Sequence, residues 1–192
     1  LIDYFEFGDC LRKKYSRLSG GQRQRFTIIM VMMQDAPLTF YDEVTSGLDF
    51  ETRQKLVEKL ASWYQDRDSS LCIVSHYYEE LEQLADKLLI LDKGHVIDYG
   101  QKEDLFRKYC GRAVIVLNNS TENEQLFWSY EKLASPAHLI ALPCETEEKE
   151  KELTALLLAH NKNYTRSSTD IEMIYANAKK AFLERQGKEC EL

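Results

Sequence analysis

The sequence predicts an α/β protein in which parallel strands packed with helices are followed by a small α+β domain. From residue 18 to about residue 111, short apolar runs typical of strands alternate with segments whose apolar residues recur at helical spacing. Such alternation is typical of βα units built around a parallel sheet. After Gly111 the pattern changes to shorter strand-like and helix-like segments with their own apolar residues. We therefore predict two domains, residues 1–111 and residues 112–192.

Each element follows from its local residue pattern. Strands carry apolar and β-branched runs, whereas helices carry apolar residues three and four positions apart. Residues 1–17 resemble a helical lead-in, and an apolar helix is predicted to begin after Ser19. The first domain is further predicted to contain strands at 38–43 and 70–75, helices at 50–67 and 77–87, and a hairpin of 87–92 with 95–100 turning at Lys93 and Gly94. The second is predicted to contain strands at 112–119 and 138–144 and helices at 124–134, 146–161 and 170–186. The predicted order is β-α-β-α-β-α, in which the third strand has no assigned bounds.

Composition and charge are those of an ordinary globular chain. Of 192 residues, 44% are hydrophobic and 30% are charged, which argues against disorder. The net charge of −7 is spread along the chain, so nucleic acid is not an expected partner. The apolar run at 26–33 is far shorter than the about 20 residues of a membrane helix. The cysteines lie far apart without a C-x-x-C pair, as is typical of reduced thiols in the cytosol: Cys10, Cys72, Cys110, Cys144 and Cys190.

The first candidate site is the stretch "LSGGQ", residues 18–22. Ser19 followed by Gln22 predicts a capping box at the start of a helix. Gly20 and Gly21 then leave the backbone N–H groups of the first turn uncovered, and a helix N-terminus with free donors binds phosphate. An ordinary capped helix with a glycine-weakened first turn is the alternative interpretation.

A second candidate site lies where two apolar strands end. The first strand ends in the adjacent acids Asp42 and Glu43, and the second is followed by His76. One carboxylate could hold Mg²⁺ while its neighbour polarises an attacking water, because a single group cannot perform both tasks. Taken alone, the acids could be a solvated strand end and His76 a surface or capping residue.

The order of these motifs from residue 18 to about residue 100 resembles the C-terminal half of an ATP-binding cassette (ABC) transporter ATPase. The resemblance covers about half of the chain, and the motifs occur in the family's order and spacing. "LSGGQRQR" resembles the signature motif, "LTFYDE" Walker B with its catalytic glutamate, "SGLD" the D-loop, "VSH" the switch histidine, and "DKLLILDKGHVIDYG" the hairpin that follows.

The resemblance implies that the signature residues act on a nucleotide held by another subunit. Ser19 and Gly21 would contact the γ-phosphate of ATP bound to the opposite subunit. Gly20 and Gln22 belong to the same nucleotide-binding motif. Asp49 would act across the dimer interface.

The resemblance also implies a role for each residue at the strand ends. Asp42 would position Mg²⁺ and Glu43 would act on the attacking water. His76 would hold the γ-phosphate and sense its loss. Val44 departs from the family pattern, since proline commonly follows the glutamate.

The phosphate-binding loop of this family does not occur in the sequence. No G-x-x-x-x-G-K-[ST] pattern is present, and the single Gly-Lys pair, at 187–188, is followed by Glu189. The chain also opens with "LIDYFEF", without an initiating methionine or a basic leader. We therefore expect a fragment whose Walker A motif, adenine-stacking residue and glutamine loop lie upstream, and which alone is inactive.

The functional hypothesis is an ATP-hydrolysing subunit that uses ATP and Mg²⁺ to power a separate membrane permease. The resemblance implies a homodimer with a second nucleotide-binding domain, at the cytoplasmic face of the membrane. The segments "TSGLD" and "TDIEMIYANA" resemble those of exporter ATPases. A non-transport relative (a translation factor or a repair or chromosome ATPase) is one alternative, and a binding or regulatory module is another.

Overall fold

The computed structural model describes residues 1–189, which fall into two compact units, one of Leu1–Leu84 and one that begins at Ala85. In unit 1, two strands pair in parallel, with Leu38 opposite Ser70 and Asp42 opposite Val74. The predicted parallel βα arrangement is therefore confirmed. Its elements are α1 (Gly20–Met32), β1 (Leu38–Asp42), α2 (Phe50–Gln65), β2 (Ser70–Val74) and α3 (Tyr78–Leu84).

The core of unit 1 lies on one face of this two-stranded sheet. Tyr41 points into it and meets the buried faces of α1 and α2, which contribute Ile28, Ile29, Met32, Leu56 and Leu60. The opposite face of the sheet carries Leu38, Phe40 and Val74, each at least half exposed. Strand alternation explains the division, because successive side chains of β1 point to opposite faces.

The predicted helical lead-in over residues 1–17 is wrong. This segment contains turns and two short 3-10 helices, Gly8–Cys10 and Tyr15–Arg17. Phe5 and Phe7 are both buried, and the residue between them, Glu6, has a left-handed backbone with φ 52°. Burial of residues two positions apart around a left-handed residue is incompatible with an α-helix.

Unit 2 begins with the predicted hairpin, β3 (Lys87–Asp92) and β4 (His95–Gln101). Lys93 and Gly94 both have positive φ, 48° and 82°, which is the two-residue turn that suits a twisted hairpin. A helix that the sequence patterns did not predict, α4 (Lys102–Cys110), follows directly and buries Leu105, Phe106 and Cys110.

The remainder of unit 2 follows the predicted β-α-β-α-β-α order. Its three strands form an antiparallel sheet with β5 in the centre between β6 and β7. Helix α6 covers this sheet with Leu153 and Leu157. The elements are β5 (Ala113–Asn118), α5 (Thr121–Leu126), β6 (Leu139–Cys144), α6 (Glu147–Ala159), β7 (Thr165–Ser167) and α7 (Ile171–Glu189).

The helix predicted over 124–134 is wrong for most of its length. Helix α5 ends at Leu126, and Phe127 leaves the helical conformation with φ −111°. The Phe127 side chain is completely buried and meets Tyr130 edge-on at 5.4 Å between ring centroids. Burial of this ring stabilises a turn more than continued helical hydrogen bonding would stabilise the helix.

The chain's contacts divide it before the hairpin, not at residues 111 and 112. Helix α4 packs against α7, and the Nζ of Lys179 on α7 lies 2.8 Å from Oδ1 of Asp92 at the end of β3. These contacts join the hairpin to the last helix within unit 2. A boundary between evolutionary domains at residues 111 and 112 stays a prediction.

Two further sequence expectations concern cysteines and membrane helices. Cys10, Cys72, Cys110 and Cys144 are free thiols, whereas Cys190 lies outside the described residues. Burial raises the pKa of the Cys110 thiol to about 12. Across residues 1–189, none of the helices combines the length and the apolar character required to cross a membrane.

Gly111 connects α4 to β5 in a conformation that other residues rarely adopt, with φ 90° and ψ −164°. A Cβ atom there would lie 3.2 Å from the carbonyl oxygen of Cys144. We expect Gly111→Ala to lower the free energy of unfolding by about 1–3 kcal/mol, measured by chemical denaturation.

Gly100→Ala is the matched control in the same unit, because a Cβ atom there would lie 3.6 Å from Leu105, an ordinary contact. We expect this variant to unfold at nearly the same denaturant concentration as the unaltered protein. Equal stability of the two variants would contradict the strain assigned to Gly111.

Candidate functional site

Glu43 and His76 meet at the carboxyl ends of β1 and β2. The N–H of Glu43 donates to the Val74 carbonyl at 2.8 Å and so extends the parallel ladder by one residue. The Nδ1 atom of His76 lies 3.3 Å from Oε1 of Glu43. Both side chains are about half exposed, 59% for His76 and 51% for Glu43. The side chains of Glu43 and His76, predicted from separate strands, therefore lie together in one solvent-accessible site.

The chain leaves β1 through a tight turn that begins at Glu43. Glu43 has a left-handed backbone with φ 46°, and its carbonyl accepts the Ser46 N–H at 2.9 Å. The next residue, Val44, is buried, and its carbonyl accepts a hydrogen bond from Nε2 of Gln24 on α1. Valine is thus accommodated at the position after Glu43.

The capping box at the start of α1 is confirmed. The Ser19 Oγ atom accepts the Gln22 N–H at 3.3 Å, and the Ser19 N–H donates to Oε1 of Gln22 at 3.1 Å. The first turn carries no acidic side chain, and Ser19 and Gly20 are exposed. The positive end of the helix dipole is therefore accessible to an anion.

Helix α1 and the turn after β1 are in direct contact. Besides the hydrogen bond from Gln24 to Val44, a Cβ atom at Gly21 would lie 3.3 Å from the Cδ2 atom of Leu48. Only a residue without a side chain leaves Leu48 undisturbed at this position. The "LSGGQ" stretch and the Glu43 turn are thereby held together in unit 1.

Asp49 forms the N-cap of α2. Its carboxylate accepts the Thr52 N–H at 3.0 Å and the Thr52 hydroxyl at 2.8 Å. Both hydrogen bonds lower the pKa of Asp49 below its ordinary value, and the bond from the Thr52 backbone has the larger effect. The side chain is fully charged at neutral pH, and it remains at the protein surface.

Glu80, at the start of α3, is a buried acid of this site that the sequence patterns did not identify. It is only 3% exposed, and its carboxylate accepts hydrogen bonds from the hydroxyls of Thr45 and Ser75. Nothing in the sequence distinguishes Glu80 from its exposed neighbour Glu79, since both lie in the first turn of the same helix.

The donor chemistry at the strand ends fits Mg²⁺. Asp42 and Glu43 are exposed carboxylates, and Mg²⁺ in nucleotide sites takes one or two carboxylates together with waters and phosphate oxygens. Among residues 1–189, no group of three or more His, Cys, Asp or Glu side chains is arranged to hold a metal ion. Exposed carboxylates of this kind suit an Mg²⁺ ion whose remaining ligands are waters and phosphate oxygens.

The known proteins to which this chain is similar in sequence include several ATP-binding proteins of transporters. No protein-family model matches the chain. The chain is similar to the Nod factor export ATP-binding protein I of Rhizobium etli, with 31% identity over 65% of this chain and 39% of that protein. It is also similar to the linearmycin resistance ATP-binding protein of Bacillus subtilis, with 27% identity over 98% of this chain and 62% of that protein. The chain thus spans about two fifths to three fifths of the length of these relatives.

A solved structure supports the same fold. It is described as an ATP-binding subunit of an ABC transporter, and it superposes on 56% of this chain and 45% of its own with a TM-score of 0.50 and 23% identity. The relatives match a chain in which segments that resemble the signature, Walker B, D-loop and switch-histidine motifs follow one another in order. The chain is thus similar in sequence to ATP-binding proteins of ABC transporters, and its α/β fold is that of the C-terminal half of an ABC ATPase domain.

Proposed function

We propose that this chain is part of the ATP-hydrolysing subunit of an ABC transporter and supplies half of a nucleotide site. The observation that carries the proposal is the 3.3 Å approach of His76 Nδ1 to Glu43 Oε1 at the carboxyl ends of β1 and β2. A base, a γ-phosphate sensor and an anion-binding helix end are the parts that phosphoryl transfer to water requires.

In this proposal the strand-end residues act on the attacking water. Glu43 orients the water and accepts its proton, and His76 donates a hydrogen bond to the γ-phosphate. Asp42 holds Mg²⁺, which when bound neutralises negative charge on the phosphate oxygens. The contact between Glu43 and His76 aligns the group that takes the proton with the group that binds the phosphate.

The signature residues are proposed to act in trans. Ser19, Gly20, Gly21 and Gln22 would present the α1 N-terminus to ATP held in the P-loop of a second nucleotide-binding domain, in a homodimer. Asp49 would lie at the interface between the two domains. The exposure of the capped helix end supports this arrangement, because a ligand can approach it from outside unit 1.

We further propose that the subunit works with a membrane permease at the cytoplasmic face of the membrane and that the transporter is an exporter. The names of two relatives support this direction, one a Nod factor export protein and the other a linearmycin resistance protein. The second domain predicted at residues 112–192 would then be an accessory extension of the subunit.

The 192-residue chain by itself contains no P-loop sequence. We expect it to bind Mg·ATP only weakly, with no micromolar site in isothermal titration, and to release no phosphate at steady state. The same chain with Glu43→Gln is the control for contaminating ATPases, because a contaminant would be equally active in both preparations. Micromolar affinity or Glu43-dependent turnover would contradict the expectation.

The role of Glu43 is testable in a polypeptide that contains a P-loop as well as these residues. We expect Glu43→Gln to lower kcat for ATP hydrolysis by about 10²–10⁴-fold and to leave ATP affinity unchanged, because an amide keeps the shape but accepts no proton. Glu51→Gln, an exposed acid of α2, is the control and should retain activity. A Glu43→Gln enzyme with nearly full turnover would refute the assignment.

The role of the α1 N-terminus is testable in the same polypeptide, with Glu43→Gln present to trap an ATP-bound dimer. We expect Gly21→Asp to bind ATP in its own P-loop but to fail to dimerise, because a carboxylate would repel the γ-phosphate. The fold should persist, since an acid in the first turn stabilises a helix by roughly 0.3–1 kcal/mol.

Gly21→Asn is the matched control, because it has the same shape and meets Leu48 in the same way but carries no charge. Light scattering with and without ATP measures dimerisation of both variants. We expect more dimer with Asn than with Asp at position 21. Full dimerisation of Gly21→Asp would return "LSGGQ" to the role of an ordinary capped helix.

A further inference from the structure

We propose that Glu80 is a positioning residue of the ATPase site, which sets the separation of Glu43 and His76 without touching the nucleotide. The proposal rests on the proposed function. It concerns a buried acid to which the hydrolytic mechanism above assigns no task.

The Glu80 carboxylate joins the two segments that carry the reacting groups. Its Oε1 atom accepts the Thr45 hydroxyl at 2.5 Å, and its Oε2 atom accepts the Ser75 hydroxyl at 2.9 Å. Thr45 follows Glu43 by two residues, and Ser75 immediately precedes His76. One rigid carboxylate therefore links the turn after β1 to the turn after β2.

The bridge continues into the start of α3 and into α2. The Ser75 Oγ atom, which donates to Glu80, also accepts the Tyr77 N–H at 3.0 Å. On the other side, Nε of Arg53 lies 3.9 Å from the Glu80 Oε1 atom, and its guanidinium lies 4.0 Å from the centroid of the Tyr77 ring. The residues on both sides of His76 are thus tied to the same carboxylate.

The hydrogen bonds of Glu80 lie in a buried environment, which restricts the movement of the residues that they join. Thr45 is 1% exposed and Glu80 is 3% exposed, while the Arg53 side chain is 19% exposed and supplies the opposite charge. Hydrogen bonds to an ionised acceptor are roughly twice as strong as neutral ones. Because each oxygen of the buried carboxylate accepts a hydrogen bond, Glu80 fixes its distances to Thr45 and to Ser75. An apolar side chain of similar volume would not fix these distances.

Glu43 depends on such a restraint more than an ordinary strand residue does. Its left-handed backbone, with φ 46°, is conformationally unfavourable and persists only where the surroundings enforce it. A displacement of 1 Å at a reacting group can lower a rate by about 10²-fold. Relaxation of the Thr45 segment would therefore lower the rate of hydrolysis before it altered ATP binding.

The test uses the polypeptide that contains a P-loop, with Glu80→Gln compared with Glu79→Gln, a change at the exposed neighbour in the same helical turn. We expect Glu80→Gln to lower kcat by roughly 10–100-fold with KM for ATP unchanged, and Glu79→Gln to alter neither. Chemical denaturation gives the folded fraction, to which each kcat is normalised. A normalised kcat equal to that of the unaltered enzyme overturns the proposal, as does a change confined to KM.

Thr45→Val and Ser75→Ala provide a second test that keeps the carboxylate in place, in case Glu80→Gln does not fold. Each should lower normalised kcat alone, and each should add little in the Glu80→Gln background, because all three act through one bridge. Effects that simply multiply, or single variants with unaltered kcat, overturn the proposal. Glu43→Gln separates the two hypotheses: if it lowers kcat as expected while Glu80→Gln leaves normalised kcat unaltered, the positioning role alone fails. If Glu43→Gln retains turnover, both fail.

Discussion

The parallel pairing of β1 with β2 is the constraint on which the candidate site depends. Asp42 lies opposite Val74 at the end of the ladder, and the Glu43 N–H continues the pairing to the Val74 carbonyl. The carboxyl ends of parallel strands lie at one edge of the sheet. Residues 33 positions apart in the chain, Glu43 and His76, are consequently neighbours. A shift of the register by one residue would turn their side chains away from each other.

The features that sequence patterns predicted correctly depend on residues a few positions apart. The capping box needs only Ser19 and Gln22, and the hairpin turn needs only Lys93 and Gly94 with strands on either side. The parallel βα arrangement of unit 1 follows from alternating apolar runs and helical spacing. Local hydrogen bonding and side-chain periodicity act within this range, so a single sequence records them.

The features that patterns missed depend on burial among distant residues. Phe127 ends α5 because its ring enters the core of unit 2, and Phe5 and Phe7 prevent a helix at the start of unit 1 because both are buried. Glu80 is distinguished from Glu79 only by the hydroxyls of Thr45 and Ser75, one of them 35 positions away. The motifs therefore identified Glu43 and His76 as candidates, but they gave no information on the hydrogen bonds that Glu80 makes beside them.

The left-handed backbone of Glu43 has a consequence for how the sequence can change. Glycine would relieve a strain of about 1–3 kcal/mol at this position. It would also remove the carboxylate that faces His76. Folding stability and the proposed chemistry therefore favour different residues at position 43. Selection for thermal stability alone would favour glycine there, so a more stable variant at this turn would lack the carboxylate to which we assign the chemistry.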